Sequence, residues 1–139
     1  MRFALSVEER IVLKCLQEDE YPLPATSIAD ITGLDSHDVM DAFVSLAEKE
    51  LFIAVDRTAG ELSPLGRNYN LFNDEHIDEL PGNIKPETEI LLRNFLDDPD
   101  AKPSIRVLEM FDGLKPEEIE NAIEELEAWG YPARSRIES

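Results

Sequence analysis

Apolar residues recur at helical spacing from the start of the chain. Ile11, Val12, Cys15 and Leu16 fall on one face of a segment opened by Ser6-Val7-Glu8-Glu9, whose serine-to-glutamate spacing is that of a capping box. Tyr21-Pro22-Leu23-Pro24 interrupts this pattern. A short second helix follows, with Ile28, Ala29 and Ile31 apolar. It runs to Gly33, the residue type that adopts a left-handed C-cap at least cost. Asp35 stands where it caps a third helix to about Glu50, with Val39, Ala42, Phe43 and Leu46 on the inner face. Leu51-Phe52-Ile53-Ala54-Val55 is rich in β-formers. Thr58-Ala59-Gly60 supplies a turn before Glu61-Leu62-Ser63, and together these predict a small β-hairpin.

The chain then turns polar and irregular over residues 71–84, closing with Pro81-Gly82-Asn83, which reads as a linker between residues 1–70 and 85–139. Beyond it the pattern restarts. Glu8, Ile11 and Leu13 recur 79 residues later as Glu87, Ile90 and Leu92. Gly33, Leu34, Ala42 and Leu46 recur at a spacing of 80 as Gly113, Leu114, Ala122 and Leu126. Ile28, Ile31, Val39 and Phe43 face Leu108, Phe111, Ile119 and Ile123. Lys-Pro-Glu starts at Lys85 and Lys115 place proline in a first helical turn. Three helices are expected between residues 86 and 130.

Ala29-x3-Gly33-x5-Val39 resembles the helix-turn-helix signature, in which a small residue lets two helices cross and glycine makes the turn. The run from Val39 to Ile53 is similar to the third helix and first wing strand of winged-helix domains. Leu62-Ser63-Pro64-Leu65-Gly66-Arg67 looks like the segment leaving the wing in many bacterial and archaeal regulators. The resemblance covers residues 5–67 well and 86–137 in part. Two departures stand out: Glu50 takes a place usually held by glycine, which the second unit restores as Gly130. The second unit also ends where a wing would turn back. The implied fold is mainly α with a small β-hairpin wing: a winged-helix unit followed by a second helix-turn-helix unit lacking a full wing.

Charge changes what this fold implies. The chain has 31 acidic and 13 basic side chains, a net charge of −18 over 139 residues. Residues 1–70 carry 6 basic and 13 acidic groups, and residues 71–139 carry 7 and 18. In the family the third helix enters the major groove. Here its exposed candidates are Ser36, His37, Asp38, Asp41, Val44 and Ser45. The second unit offers Glu117, Glu118, Glu120, Asn121, Glu124 and Glu125. Arg and Lys, the usual guanine readers, are absent from both faces until Lys49. Arg57 in the wing and Arg67 after it are the candidate phosphate contacts, with Ser36 and His37 as base contacts. They define the alternative function, a DNA-binding regulator, for which a homodimer would pair two weak sites.

No catalytic residue, metal ligand or cofactor is expected. His37, His76 and Cys15 lack metal-ligand spacing, and Cys15 lies on an apolar helical face. Asp98-Pro99-Asp100 with Glu109 imitates the ends of a calcium loop. Lys102 and Pro103, however, stand where the loop needs a ligand and a glycine. Trp129 and Tyr131, with Arg134 and Arg136, have the composition of a binding hot spot. These four, with Asp38 and Asp41, are the candidate partner-binding residues. The single cysteine suits a reducing cytoplasm, and no apolar run approaches the roughly 20 residues of a membrane span. The expected function is a non-enzymatic adaptor or regulatory subunit that binds another protein, a basic one by charge.

Overall fold

The computed structural model describes residues 3–19, 21–73 and 84–137. The chain divides into two units, Phe3–Tyr69 and Asn70–Ser139. The described residues are mainly helical, with one small two-stranded hairpin.

In the first unit α1 spans Val7–Gln17, α2 Ala25–Thr32 and α3 Ser36–Glu48. The capping box forms as its spacing predicts: Ser6 Oγ accepts from the Glu9 amide at 3.1 Å, and Glu9 Oε1 accepts from the Ser6 amide at 3.3 Å. Asp35 caps α3 by accepting from the His37 amide at 2.8 Å. Gly33 ends α2 at φ +79°, a left-handed conformation that glycine adopts without a Cβ penalty. Val12, Leu13, Leu16, Ile28, Val39, Phe43 and Leu46 are buried at the meeting of the three helices. Ile31 is not part of that core; it is 64% exposed.

Strand β1 (Phe52–Ala54) pairs antiparallel with β2 (Gly60–Leu62), Phe52 opposite Leu62 and Ala54 opposite Gly60. Period-two alternation turns Phe52 and Leu62 inward and leaves Ile53 and Glu61 exposed. The Phe52 ring stacks on Phe43 with centroids 4.5 Å apart. A Cβ on Gly60 would collide with that ring, so glycine is needed where the hairpin closes over it. A short helix, α4 (Pro64–Asn68), returns the chain to α1. It comes so close that a Cβ on Gly66 would collide with the Leu51 carbonyl.

The second unit holds α5 (Pro86–Asp97), α6 (Ile105–Phe111), α7 (Pro116–Ala128) and a one-turn α8 (Ala133–Arg136). Lys85 and Lys115 are N-caps, each followed by proline in the first turn. Positions 79 or 80 apart occupy matching places: Leu91, Leu92, Phe95, Leu108, Ile119, Ala122, Ile123 and Leu126 are all buried. The cap geometry matches too. Leu51 N–H donates to the Leu46 carbonyl at 2.9 Å, and Tyr131 N–H to the Leu126 carbonyl at 3.0 Å. Between them Glu50 takes φ +64° and Gly130 φ +88°.

The second unit begins earlier than the polar composition of 71–84 implies. Leu71–Asn73 forms a 3-10 turn, and Leu71 and Phe72 are each 1% exposed. The Phe72 ring stacks on Phe95 at 4.1 Å and on Tyr131 at 5.6 Å. Three stacked rings remove more apolar surface from water than any polar alternative at this place, so Leu71 and Phe72 are core rather than linker. Residues 74–83 of the expected linker lie outside the described residues.

Candidate functional site

Asp38 and Asp41 are exposed on α3, where capping by Asp35 fixes the helix start and directs residues 38, 41 and 45 away from the core. With Ser6, Glu8, Glu9 and Ser45 they line a shallow pocket of about 220 Å³. Four carboxylates therefore face one small space. One is already matched: Glu9 Oε2 lies 3.0 Å from Lys49 Nζ. Lys49 is the first cation on the α3 surface, and this pair turns it toward α1. Ser36 is half-buried, His37 is exposed, and Val44 is 56% exposed.

The two arginines expected at phosphate diverge. Arg57 is exposed in the hairpin turn. Its neighbour Asp56 is held below the usual carboxylate range by the Thr58 backbone N–H and then by the Thr58 hydroxyl. Arg67 instead folds back on α1, where Nη1 donates to the carbonyls of Leu16, Gln17 and Asp19 at 3.0, 3.2 and 3.0 Å. A helix C-terminus leaves its last carbonyls unpaired and carries partial negative charge, so it holds a guanidinium well. Arg67 is thus a cap rather than a free phosphate contact.

The expected cluster around Trp129 does not assemble as an anchor surface. Tyr131 is 0% exposed, held in the core by its stack on Phe72. Arg136 lies over the same Phe72 ring, 5.6 Å from its centroid, and Nη1 donates to the Pro99 carbonyl at 2.7 Å. Arg134 pairs with Glu120, and hydrogen bonding from its guanidinium holds the Glu120 carboxyl below its ordinary range. Trp129 is the half-buried C-cap of α7. Adjacent in sequence, these residues diverge because the left-handed turn at Gly130 sends Tyr131 inward while α8 carries the arginines across the surface.

Sequence reading missed two surfaces. On α6, Val107, Met110 and Phe111 are 41, 65 and 80% exposed at i, i+3 and i+4 spacing, which places them on one face. Between α6, α7 and α8 lies a groove of about 310 Å³. Its lining joins Ile119 and Ile123 of α7 to Ile105 and Ile137, which no local sequence pattern brings together.

Among the described residues no group of His, Cys, Asp and Glu has the geometry to hold a metal ion. His76 lies outside them. Cys15 is buried, and burial pushes its thiol above the ordinary cysteine value. No described helix is long and apolar enough to cross a membrane. Comparison with family models, curated proteins and solved structures finds no match to this chain.

Proposed function

We propose that the chain joins a winged-helix domain, residues 1–70, to a second helix-turn-helix unit, and that it works in the cytoplasm, without catalysis, as an adaptor or regulatory subunit for another protein. The observation that carries this reading is the chemistry of the two third helices. The exposed residues of α3 include Asp38 and Asp41, and those of α7 include Glu117, Glu120 and Glu124. Affinity for nucleic acid comes from cations that displace counterions at phosphate. Lys49 is paired with Glu9 and Arg67 caps α1, so neither of these cations lies free on the surface that would meet a duplex. The exposed apolar row on α6 is better suited to a protein surface.

A competing reading, a winged-helix DNA-binding regulator, is favoured by Arg57, exposed at the hairpin turn, with Ser36 and His37 nearby in sequence on α3. Selection from randomised duplexes, followed by titration at several salt concentrations, separates the two. The expected result is no reproducible motif. A motif bound at submicromolar affinity, weakened by Arg57→Ala and by salt, would overturn the adaptor reading.

A further inference from the structure

Helices α2 and α6 hold matching places 80 residues apart, and each buries one central residue, Ile28 and Leu108. On α2, Ser27 and Asp30 stand where α6 has Val107 and Met110. Ser27 is half-buried and Asp30 exposed. A helix at this place therefore forms with polar residues there, and packing within the unit does not ask for apolar ones. Ile31 and Phe111 also match, 64% and 80% exposed. Unlike α2, α6 thus carries a continuous apolar strip, and such strips rimmed by charge mark protein contact surfaces.

At about 100° per residue, Met110 lies in the middle of the exposed arc of α6. Val107 and then Phe111 flank it on one side, Arg106 and then Glu109 on the other. Both charged residues are exposed, and among the described residues neither makes an ion pair. Arg106 precedes Glu109 by about 4.5 Å along the axis. This order is self-complementary. When two copies of a helix meet antiparallel about a two-fold axis, like flanks face each other with their directions reversed. Arg106 of each copy then meets Glu109 of the other, and the flank of Val107 and Phe111 meets its own counterpart. A parallel pair would instead set the charges against Val107 and Phe111.

We propose that the outer face of α6 docks a second copy of this chain, as an antiparallel, two-fold symmetric and reversible dimer. Local charge permits this occupant. Residues 102–115 carry three basic and two acidic groups, whereas the whole chain carries 13 and 31. The surfaces that touch are near neutral, and salt screens charges farther apart than about 8 Å. The apolar strip, with Arg106 and Glu109 beside it, gives a contact of about 1,000 Å² over both copies. That is the size of a weak interface, with a Kd of about 0.1–1 mM. The proposal does not rest on the adaptor reading, which the duplex selection tests separately.

Sedimentation velocity on the full chain, from about 20 μM to about 1 mM in about 0.15 M salt, reads the association. The expected result is a concentration-dependent dimer. Replacing Met110 and Phe111 together by serine should weaken it about tenfold or more. Arg106→Glu and Glu109→Arg should each weaken it about fivefold, because like charges then face across the axis. Mixing these two variants should restore the dimer, since one copy brings two acids and the other two bases. The mixed pair has the wild-type total charge, −20 and −16 against −18 and −18, so long-range repulsion is unchanged. All four positions are exposed, and unchanged circular dichroism verifies the fold of each variant. A monomer at 1 mM would overturn the second copy as occupant and leave the strip to a different protein. Undiminished association of the serine variant would overturn α6 as the contact. A mixture that associates no better than either single variant would overturn the antiparallel pairing.

Discussion

Replacing Glu50 by glycine should stabilise the first unit. Glu50 sits at φ +64°, and a left-handed backbone costs a residue with a Cβ about 1–2 kcal/mol. Its side chain is exposed, so its removal uncovers no apolar surface. Its backbone bonds survive the change: the N–H donates to the Ala47 carbonyl at 3.0 Å, and the carbonyl accepts from Ser63 Oγ at 2.6 Å. Glycine's greater freedom in the unfolded chain offsets about 0.5–1 kcal/mol of the relief. The net gain is about 0.5–1 kcal/mol, or about twofold to fivefold slower exchange of the amides that open only on global unfolding. The second unit supplies the reverse control. Gly130 has φ +88° in the same cap, so Gly130→Ala should cost about 1–2 kcal/mol. Native-state hydrogen exchange reads the two units separately, at the most protected amides of α3 and α7. Unchanged or faster exchange in α3 after Glu50→Gly, together with no effect of Gly130→Ala on α7, would refute the strain argument.

Leu46 and Leu126 are both 0% exposed, and each Leu→Ala change should cost about 2–5 kcal/mol by urea unfolding. Wild-type midpoints in both variants would remove these positions from the core. Arg67→Ala should destabilise the first unit by about 1–3 kcal/mol, because three carbonyls lose a charged donor. Arg67→Lys should recover only part, since an ammonium keeps the charge but not the planar geometry. Unaltered exchange protection in the last turn of α1 after Arg67→Ala would contradict the capping role.

The features legible in the sequence are those decided within a few residues. Ser6 with Glu9, Asp35 before α3, and Gly33 after α2 all act across one helical turn, and the structure has each cap where spacing puts it. The hairpin was legible because its β-formers alternate across a turn with glycine at its close. Other roles depend on distant partners. Phe72 stands at the start of a polar stretch; its burial comes from rings 23 and 59 residues downstream. Arg67 reads as a surface cation because its acceptors are main-chain carbonyls, which any residue type supplies. Tyr131 reads as part of an exposed Trp-Tyr-Arg cluster, yet the left-handed turn before it sends it inward. The groove beside Ile105 was hidden for the same reason: its walls, Ile105, Ile119, Ile123 and Ile137, come from separate elements.

The two units also differ in where their sealing element comes from. In the first unit it follows the hairpin: α4 packs on α1, brings Gly66 against the Leu51 carbonyl and aims Arg67 at Leu16. In the second it precedes the helices: Phe72 closes over Phe95 and Tyr131, the residues matching Leu16 and Leu51. A helical bundle needs that flank stoppered in space but sets no order in which the stopper is translated. A piece of the chain cut at Lys85 would therefore hold every helix of the second unit and still lack its plug. The aromatic residue that makes the bundle watertight lies in the stretch an engineer trimming a linker would discard first.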